Sequence, residues 1–251
     1  MISDLMISVI CVYNDKNILY KCLIKSLKAQ NYNYELILVD NTQKIYNSAA
    51  KAFNNNAENA KGEYLLFAHQ DVYLPSPTFL EDLENILYKL SDLGIAGFAG
   101  VSAEIKGLIS NMKQGHPPRF AGKHQIKNSL IIQTLDEFLF VIPKKVFKHL
   151  KFDEETCNNW HLYAVDYCLS IKKLELNAYV LPLKTYHLSP GYSMDENYDI
   201  TLNKLLKKHQ SDFNWIYTSL GNYSTQYPLK VQKFLKKILI PILKSFKLWE
   251  Y

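Results

Sequence analysis

Residues 64–75 read YLLFAHQDVYLP, an apolar run that stops on a histidine, an amide and an acid. The first five of these residues have the composition of a buried β-strand. His69, Gln70 and Asp71 follow directly, so polar side chains occupy the end of this strand. In open α/β sheets, ligands bind in the crevice beyond the carboxyl ends of the strands. The stretch therefore predicts that these three side chains face a ligand.

The same pattern occurs twice before this stretch. Residues 6–13 (MISVICVY) form a β-branched run of the type buried on both faces, and residues 35–39 (ELILV) run into Asp40. Helical periodicity separates these strands, and residues 95–101 add a fourth strand. The alternation predicts an α/β domain with a mostly parallel, doubly wound sheet and helices on both faces. Capping of the next helix is the alternative role for such acids, and it is favoured for Asp15.

The composition favours one globular domain. The 251 residues are 48% hydrophobic, enough for one sizeable core with a C-terminal extension. The formal charge of +5 comes almost entirely from lysine, because Arg119 is the only arginine. Base readout and bidentate phosphate recognition depend largely on arginine, so no nucleic-acid partner is expected.

The cysteines and the N-terminal residues indicate a cytoplasmic protein. The four cysteines include no CxxC pair and are predicted to be reduced thiols. Residues 1–15 have no basic leader or cleavage site, so they are predicted to form a strand rather than a signal peptide. The sequence has no run of about 18 apolar residues that would predict a spanning helix.

The turn after the first strand argues against two common nucleotide sites. It reads VYNDKN and has no glycine, whereas a dinucleotide fold needs GxGxxG there. No P-loop of the GxxxxGKS or GxxxxGKT type is present, and Gly94, Gly97 and Gly100 lie along a predicted strand. The remaining interpretation is a nucleotide held by side chains, with its diphosphate neutralised by a metal ion on Asp71.

Several segments, in this order, carry a resemblance to a known family. ISVICVYND, ELILVDN and YNSAAKAFNNNAENAKGEYLLFAHQDVYLP resemble the nucleotide-binding half of the family 2 glycosyltransferases, and HQDV resembles a bacterial branch of them. FDEETCNNWHLYAVDYCLSIKKLELNAYVLPLKTYHLSPG continues the match, which spans roughly residues 7–191 and is poor over about 102–129. The resemblance implies the Rossmann-like GT-A fold. It also implies inverting sugar transfer from a nucleotide-diphosphate sugar, with UDP expected, to a hydroxyl, assisted by Mn²⁺ or Mg²⁺.

The same resemblance divides the chain. Residues 1–195 are expected to form the GT-A domain. Its first half, 1–101, would bind the nucleotide sugar, and its second half, 102–195, would supply the acceptor site and the catalytic groups. Residues 196–251 are expected to form a helical, basic, amphipathic extension.

The donor and metal residues are assigned from the matching positions. Asp40 would contact the nucleobase or the ribose. Asp71 matches the last acid of the family's Asp-x-Asp signature, although His69 stands at the first acid position, and His187 would be the second metal ligand. Capping or packing is the alternative role for His187. The other residues expected to contact the donor are Val12, Tyr13, Asn14, Asn47, Gln70 and Trp160, whose ring suits stacking on a sugar.

The resemblance also requires a general base for the acceptor hydroxyl. The family's Glu-Asp pair falls on Tyr163 and Ala164 here, so Asp166 is the first candidate and His161 the second. Asp136, in TLDEFLFV, is the third candidate and is expected to line a sugar pocket. An ordinary helix-surface acid is the alternative for Asp166.

Two further segments carry charge. Residues 107–128 form a long irregular loop in which Arg119 or Lys123 is expected to meet a phosphate or an acidic sugar, with a solvated loop as the alternative. Residues 229–251 place apolar side chains at helical spacing between lysines and carry Trp249 near their end. This pattern predicts contact with an anionic membrane, and packing on the domain's own core is the alternative.

The interpretation that unites these features is a metal-dependent, inverting glycosyltransferase. It would act at the inner face of the plasma membrane on a bacterial surface glycan or a lipid-linked acceptor. The first alternative is a non-catalytic domain of the same fold that binds a nucleotide sugar or a glycan. The second is a lipid-surface scaffold.

Overall fold

The computed structural model describes residues 6–189, 191 and 195–245, and within them the central sheet has seven strands. These strands are runs of β-branched and large apolar residues, which favour pleated, buried backbone. With strands numbered in chain order, the spatial order is β10 (Leu130–Ile132), β13 (Asn177–Val180), β5 (Leu93–Gly97), β12 (Leu139–Pro143), β3 (Tyr64–Ala68), β1 (Ile7–Tyr13) and β2 (Tyr34–Asp40).

The predicted α/β class and the mostly parallel central sheet are confirmed, since five of the seven described strands run in one direction and β12 and β10 run in the other. β1 runs parallel to β2 and β3, and β13 runs parallel to β5. β12 lies antiparallel between β3 and β5, and β10 is antiparallel to β13. The opposite direction of β12 was not predicted, because an apolar run such as LFVIP identifies a buried strand but does not give its direction.

Short strands form three smaller sheets in the described part of the chain. The predicted fourth strand, residues 95–101, is divided at Phe98 between the central sheet and the first of these. The first is β11 (Thr134–Leu135), β6 (Ala99–Val101) and β7 (Ile109–Ser110). The second is β4 (Val72–Tyr73), β14 (Thr185–His187), β8 (Met112–Gln114) and β9 (Arg119–Phe120), and the third is β15 (Trp215–Thr218) with β16 (Gly221–Ser224).

Several of the helices begin at a side-chain cap. Asp15 accepts hydrogen bonds from the backbone N–H groups of Asn17 and Ile18, which confirms the capping role favoured for this acid. The first helical stretch continues from α1 (Lys16–Leu19) through a π-helical turn, Tyr20–Ile24, into α2 (Lys25–Leu27). The α-helices are α1 (Lys16–Leu19), α2 (Lys25–Leu27), α3 (Ala49–Ala57), α4 (Phe79–Leu87), α5 (Lys144–His149), α6 (Tyr163–Ser170), α7 (Glu196–Lys208) and α8 (Leu229–Ser245).

The central sheet has an apolar core on each face. Alternate residues of β1 point to opposite faces, so Val9 packs with Leu23 on one side and Ile10 packs with Phe53 on the other. The first face is covered by α1, α2 and α4, and the second by α3, α5 and α6. Both faces of β3 are therefore buried, and its polar end emerges only at one edge of the sheet.

The direction of β12 brings a second set of polar residues to that edge. Leu139, its first residue, pairs with Ala68, the last residue of β3. Asp136 and Glu137 come just before β12, and the backbone N–H of His69 donates to the Phe138 carbonyl at 2.9 Å. Residues 136–138 therefore lie beside the end of β3.

The first part of the predicted extension packs on the domain. Leu202 and Leu205 of α7, together with Ile216 of β15, form a buried cluster with Val165 and Leu169 of α6. The division into 1–195 and 196–251 stays a prediction, but α7 and the β15–β16 hairpin share a core with α6. None of the helices in the described residues is long and apolar enough to cross a membrane.

Candidate active site

A cavity of about 910 Å³ opens at the carboxyl ends of β1 and β3. Its volume lies within the range of small-molecule sites. Its walls come from both halves of the chain, from α7 and from the turn between β15 and β16. The residues singled out in the sequence that line it are Val12, Tyr13, Asn14, Asn47, Gln70, Asp71, Asp136, Trp160, His161 and His187.

Three of the lining side chains form a cluster that suits a metal ion. His69, Asp71 and His187 each offer one ligand atom, and these atoms lie within 4.8 Å of one another. The antiparallel pairing of β14 with β4 sets His187 opposite Val72, directly after the HQD triplet. Asp71 Oδ1 lies 3.2 Å from His187 Nε2, and Asp71 Oδ2 accepts a hydrogen bond from the Ser189 N–H at 3.2 Å.

The polar atoms of this cluster fit a cation. His187 Nε2 is buried and, despite its short distance to Asp71, has no aligned hydrogen-bond partner among the described residues. His69 Nε2 lies 3.1 Å from the Tyr163 hydroxyl, which orients the ring. A buried nitrogen without a partner is costly in an apolar setting, and coordination of a cation would satisfy it.

Burial and neighbouring charges set the protonation of the cluster. Burial would raise the pKa of Asp71, but the neighbouring imidazoles of His187 and His69 outweigh it and lower the pKa to about 2. Burial, helped by His187, lowers the pKa of His69 to about 4. At neutral pH the cluster therefore contains a carboxylate and a neutral imidazole of His69, the forms that bind metal ions.

Gln70 connects the two strand ends that form the predicted donor side. Its Oε1 accepts hydrogen bonds from the N–H groups of Asn14 and Asp15, both at 2.9 Å, and its Nε2 donates to Asn14 Oδ1 at 2.8 Å. The loop after β1 is thereby fixed to the end of β3.

Asp40 lies outside the cavity lining, so its expected contact with the donor stays a prediction. Its Oδ2 accepts from the Tyr13 hydroxyl at 2.9 Å, and its Oδ1 accepts from the hydroxyl and the N–H of Thr42 at 2.7 and 2.9 Å. The Thr42 and Tyr13 hydrogen bonds hold the pKa of Asp40 well below its usual range. Asn41, the next residue, lines the cavity instead.

Asp166, the first candidate base, also lies outside the cavity lining. Its side chain is 4% exposed and accepts hydrogen bonds from Lys208 Nζ at 2.8 and 2.9 Å. His209 Nε2 lies 2.8 Å from Asp166 Oδ1. The first turn of α6 points this carboxylate toward α7 rather than toward the cavity, so it cannot reach an acceptor there.

His161, the second candidate, lines the cavity and has an acidic partner. Its Nε2 lies 3.1 Å from Asp195 Oδ1, and its ring stands edge-on to Tyr198 at 5.7 Å. Asp195 lines the cavity too, and it caps α7 by accepting a hydrogen bond from the Asn197 N–H. This pair has the arrangement of a base oriented by a carboxylate.

Asp136 lines the cavity beside Glu137, which the sequence analysis did not single out. Glu137 Oε1 is buried and has no hydrogen-bond partner in the described residues. Burial and the charge of Asp136 raise the pKa of Glu137 well above its usual value, although backbone N–H groups at the start of α6 oppose this shift.

Arg119 is exposed on the edge strand β9 and does not line the cavity. Its expected contact with a donor phosphate therefore stays a prediction. The hairpin of β8 and β9 holds residue 119 on the outer side of β8, with β8 between it and His187. Trp249, predicted to contact a membrane, lies outside the described residues.

Sequence reasoning missed two groups at this site and the metal-binding role of a third. His69 was predicted to face a ligand but not to hold a metal ion, although its position two residues before Asp71 was a local signal. Glu137 is adjacent to the candidate Asp136, which was a weaker signal. Asp195 is 34 residues from its partner His161, and no local pattern connects them.

These observations define a class of protein. The α/β sheet, with a candidate metal cluster and a cavity at the carboxyl ends of its strands, has the GT-A fold of nucleotide-sugar transferases. Residues 8–237 match the model of a family described as "Glycosyltransferase like family", and the chain belongs to that family. No curated protein matches the sequence significantly.

Solved structures with the same fold include three transferases of low sequence identity. The mannosyltransferase PcManGT from Pyrobaculum calidifontis, in complex with GDP-Man and Mn²⁺, is 14% identical, with a TM-score of 0.56 over 82% of this chain and 64% of its own. TarS 1-349 from S. aureus with UDP-GlcNAc is 17% identical, with a TM-score of 0.57 over 83% of this chain and 68% of its own. GalNAc-T7 with UDP, GalNAc and Mn²⁺ is 13% identical, with a TM-score of 0.51 over 84% of this chain and 49% of its own. The chain thus spans about two thirds or less of these proteins.

Proposed function

We propose that this protein transfers a sugar from a nucleotide-diphosphate sugar to an acceptor hydroxyl, with inversion at the anomeric carbon and with a divalent metal ion. The observation that carries the proposal is the cluster of His69, Asp71 and His187 at the cavity edge. Family membership and the nucleotide sugars in structures of the same fold support it.

The cation would be held by His69, Asp71 and His187. When bound, it would neutralise the diphosphate of the donor and stabilise the charge on the departing nucleotide. Two imidazoles and one carboxylate favour Mn²⁺ over Mg²⁺, because Mg²⁺ prefers an all-oxygen shell. The protein's own contribution to donor binding comes from Val12, Tyr13 and the Gln70-fixed loop, which form the wall for the nucleoside.

His161 is the general base of this proposal. Direct displacement needs a group that takes the proton of the acceptor hydroxyl while its oxygen attacks the anomeric carbon and the diphosphate leaves from the opposite side. An imidazole can accept this proton, and Asp195 orients that of His161. Asp136, on the β12 side of the cavity, would contact the donor sugar.

The acceptor is proposed to be a bacterial surface glycan or a lipid-linked saccharide at the cytoplasmic face of the membrane. The support is α8, whose residues Val231, Phe234, Leu235, Ile238 and Leu239 form an apolar stripe at helical spacing, 44–62% exposed. This stripe is not packed on the domain, so the packed-helix alternative does not account for it. Lys230 and Lys237 beside it are exposed and suit an anionic lipid surface.

Calorimetric titration with UDP and GDP, each with and without Mn²⁺, tests the donor and metal assignment. At least one nucleotide should bind with Mn²⁺, and its affinity should fall at least tenfold without the metal or in Asp71→Asn. His69→Ala should weaken binding less than Asp71→Asn because it removes a neutral ligand. Asp212→Asn alters an exposed acid outside the cavity and is the control. Equal affinity in Asp71→Asn and wild type would exclude the site.

Consumption of the donor separates catalysis from the non-catalytic alternative. A binding domain would hold the nucleotide sugar without releasing nucleoside diphosphate, whereas the enzyme would release it by transfer or slow hydrolysis. The His161–Asp195 pair in the cavity favours the enzyme.

A further inference from the structure

One wall of the cavity has no role in the donor and metal sites proposed above. It comprises Trp160, Asp195, Ser219 and Leu220, contributed by the loop before α6, the start of α7 and the turn of the β15–β16 hairpin. Trp160 and Leu220 are 40% and 43% exposed, unusually open for such large apolar side chains beside a deep cavity. Open apolar surface beside polar groups is the composition of a small-molecule subsite.

The wall is held in place by contacts behind it. The Tyr198 hydroxyl lies 3.4 Å from Thr218 Oγ1, which connects α7 to the hairpin turn. Thr218 Oγ1 also donates to the Gly221 carbonyl at 2.9 Å and accepts from the Leu220 N–H at 3.3 Å. The turn therefore has a fixed shape before any ligand arrives, which lowers the entropic cost of binding.

The charges of the wall restrict its ligand. Among the described residues that line the cavity, Lys44 is the sole lysine or arginine, and it lies on the loop after β2. The charged residue of the wall itself is the acid Asp195. A phosphate or a uronic acid placed there would meet a carboxylate without a compensating cation, whereas neutral hydroxyls donate hydrogen bonds to carboxylates.

We infer that this wall is the acceptor subsite and that it binds a neutral sugar residue, stacked on Trp160, with one hydroxyl at His161. Trp160 and His161 both line the cavity, so a ring stacked on the indole can present a hydroxyl to the base. This assignment moves Trp160 from the donor, where the sequence analysis placed it, to the acceptor. It rests on the proposed function for the role of the bound sugar, but binding itself does not require transfer.

Saturation-transfer NMR with the methyl glycosides of glucose, galactose and N-acetylglucosamine, each at millimolar concentration, tests the subsite on the full chain. Methyl glucuronide and glucose 6-phosphate are the charged counterparts. At least one neutral glycoside should receive saturation on its ring protons, with little or none on the charged pair. Trp160→Ala should weaken that binding roughly tenfold, as expected when an aromatic contact is lost.

Trp215→Ala is the matched control, because Trp215 is 49% exposed on the same hairpin but lies outside the cavity lining. It should bind the glycoside as the wild type does. Preference for the charged sugars, equal effects of the two substitutions, or no binding of any neutral glycoside would each overturn the inference. Failure of UDP and GDP to bind with Mn²⁺ would instead count against the proposed function, and the glycoside result would still decide the subsite.

Discussion

At the residue scale, His161 and Asp166 lie five positions apart but in different surroundings. His161 faces the cavity with Asp195 behind it, and Asp166 faces Lys208 and His209 in the interior. The roles of the two side chains can therefore be distinguished by the effects of substituting them. His161 should affect the rate of transfer, and Asp166 should affect stability.

We expect His161→Ala to reduce kcat about 10² to 10⁴-fold while leaving nucleotide affinity unchanged, because the proton moves only in the transition state. Asp166→Asn should keep the activity of the folded protein within a few-fold of wild type and lower its melting temperature. Donor-consumption kinetics, with calorimetry for nucleotide binding, measure both effects. A large loss of kcat in Asp166→Asn at full nucleotide affinity would restore Asp166 as the base.

Glu137 should make stability depend on pH in the opposite direction to an acid whose pKa is lowered on folding. Since its pKa is raised in the folded protein, the native state binds more protons than the unfolded chain above the unfolded pKa of about 4.3. This group therefore lowers stability as pH rises through that range. The free energy of unfolding of Glu137→Gln relative to wild type should increase between pH 4 and pH 7.

Urea denaturation at several pH values measures this difference. Glu58→Gln, which alters an exposed acid on the surface, is the control and should show no such trend. A flat difference for Glu137→Gln across the pH range would show that its carboxyl gains no protons on folding.

At the element scale, Lys208 joins α7 to α6 and to the loop before it. Its Nζ donates to Asp166 and, at 2.8 Å, to Asp153 Oδ2. Removing one partner of a buried ion pair is costly because it leaves the other charge desolvated. Lys208 is itself partly exposed, which reduces the expected cost.

Lys208→Met should destabilise the protein by about 2 to 4 kcal/mol. At about 2 to 4 °C for each kcal/mol in a chain of this size, the melting temperature should fall by roughly 4 to 16 °C. The control is Lys204→Met, one turn earlier on α7, which removes an exposed lysine that donates to the Glu155 carbonyl. This substitution should change the melting temperature by less than about 2 °C. Scanning calorimetry compares the two, and equal shifts would mean that the network contributes little.

The elements that the sequence predicted are those with a strong local pattern. β1, β2 and β3 follow from continuous apolar runs, and the capped start of α1 follows from Asp15. The strands β4 and β14 have two and three residues, too few for any periodicity. Yet their pairing places His187 beside Asp71. That contact was expected only through the family resemblance, because strand pairing over such a separation has no local signal.

The site shows the same limit. Polar residues at strand ends, such as Asn14, Gln70 and Asp71, were predictable because strand ends meet at one edge of a sheet. Asp40 and Asp166 do not line the cavity, and the spacing of a residue in sequence does not give the direction of its side chain. Asn41, next to Asp40, and the second candidate base His161 do line it.

At the scale of the whole molecule, α8 directs its two faces differently. Lys233 and Lys236 turn toward the domain, where Lys233 pairs with Asp199, and Lys236 donates to the Asn222 carbonyl and covers the Tyr223 ring. The apolar stripe therefore faces away from the domain. Insertion of this stripe into a bilayer should supply most of the membrane affinity, and the exposed Lys230 and Lys237 should supply the salt-dependent remainder.

Phe234→Ser and Leu239→Ser should each reduce binding to vesicles of phosphatidylcholine with phosphatidylglycerol roughly tenfold. Burying a large apolar side chain contributes about 1.5 to 3 kcal/mol, and interfacial insertion gains part of it. Wild-type binding should weaken only a few-fold between 50 and 500 mM salt, because screening reduces the lysine contribution and leaves the apolar one.

The control is Ile200→Ser, which removes an apolar side chain on α7 that is 52% exposed and should bind as wild type does. Vesicle sedimentation measures all four proteins. Binding that is abolished by salt but indifferent to Phe234→Ser would mean that the lysines hold the protein at the surface without insertion, and no binding by the wild type would remove the membrane from its function.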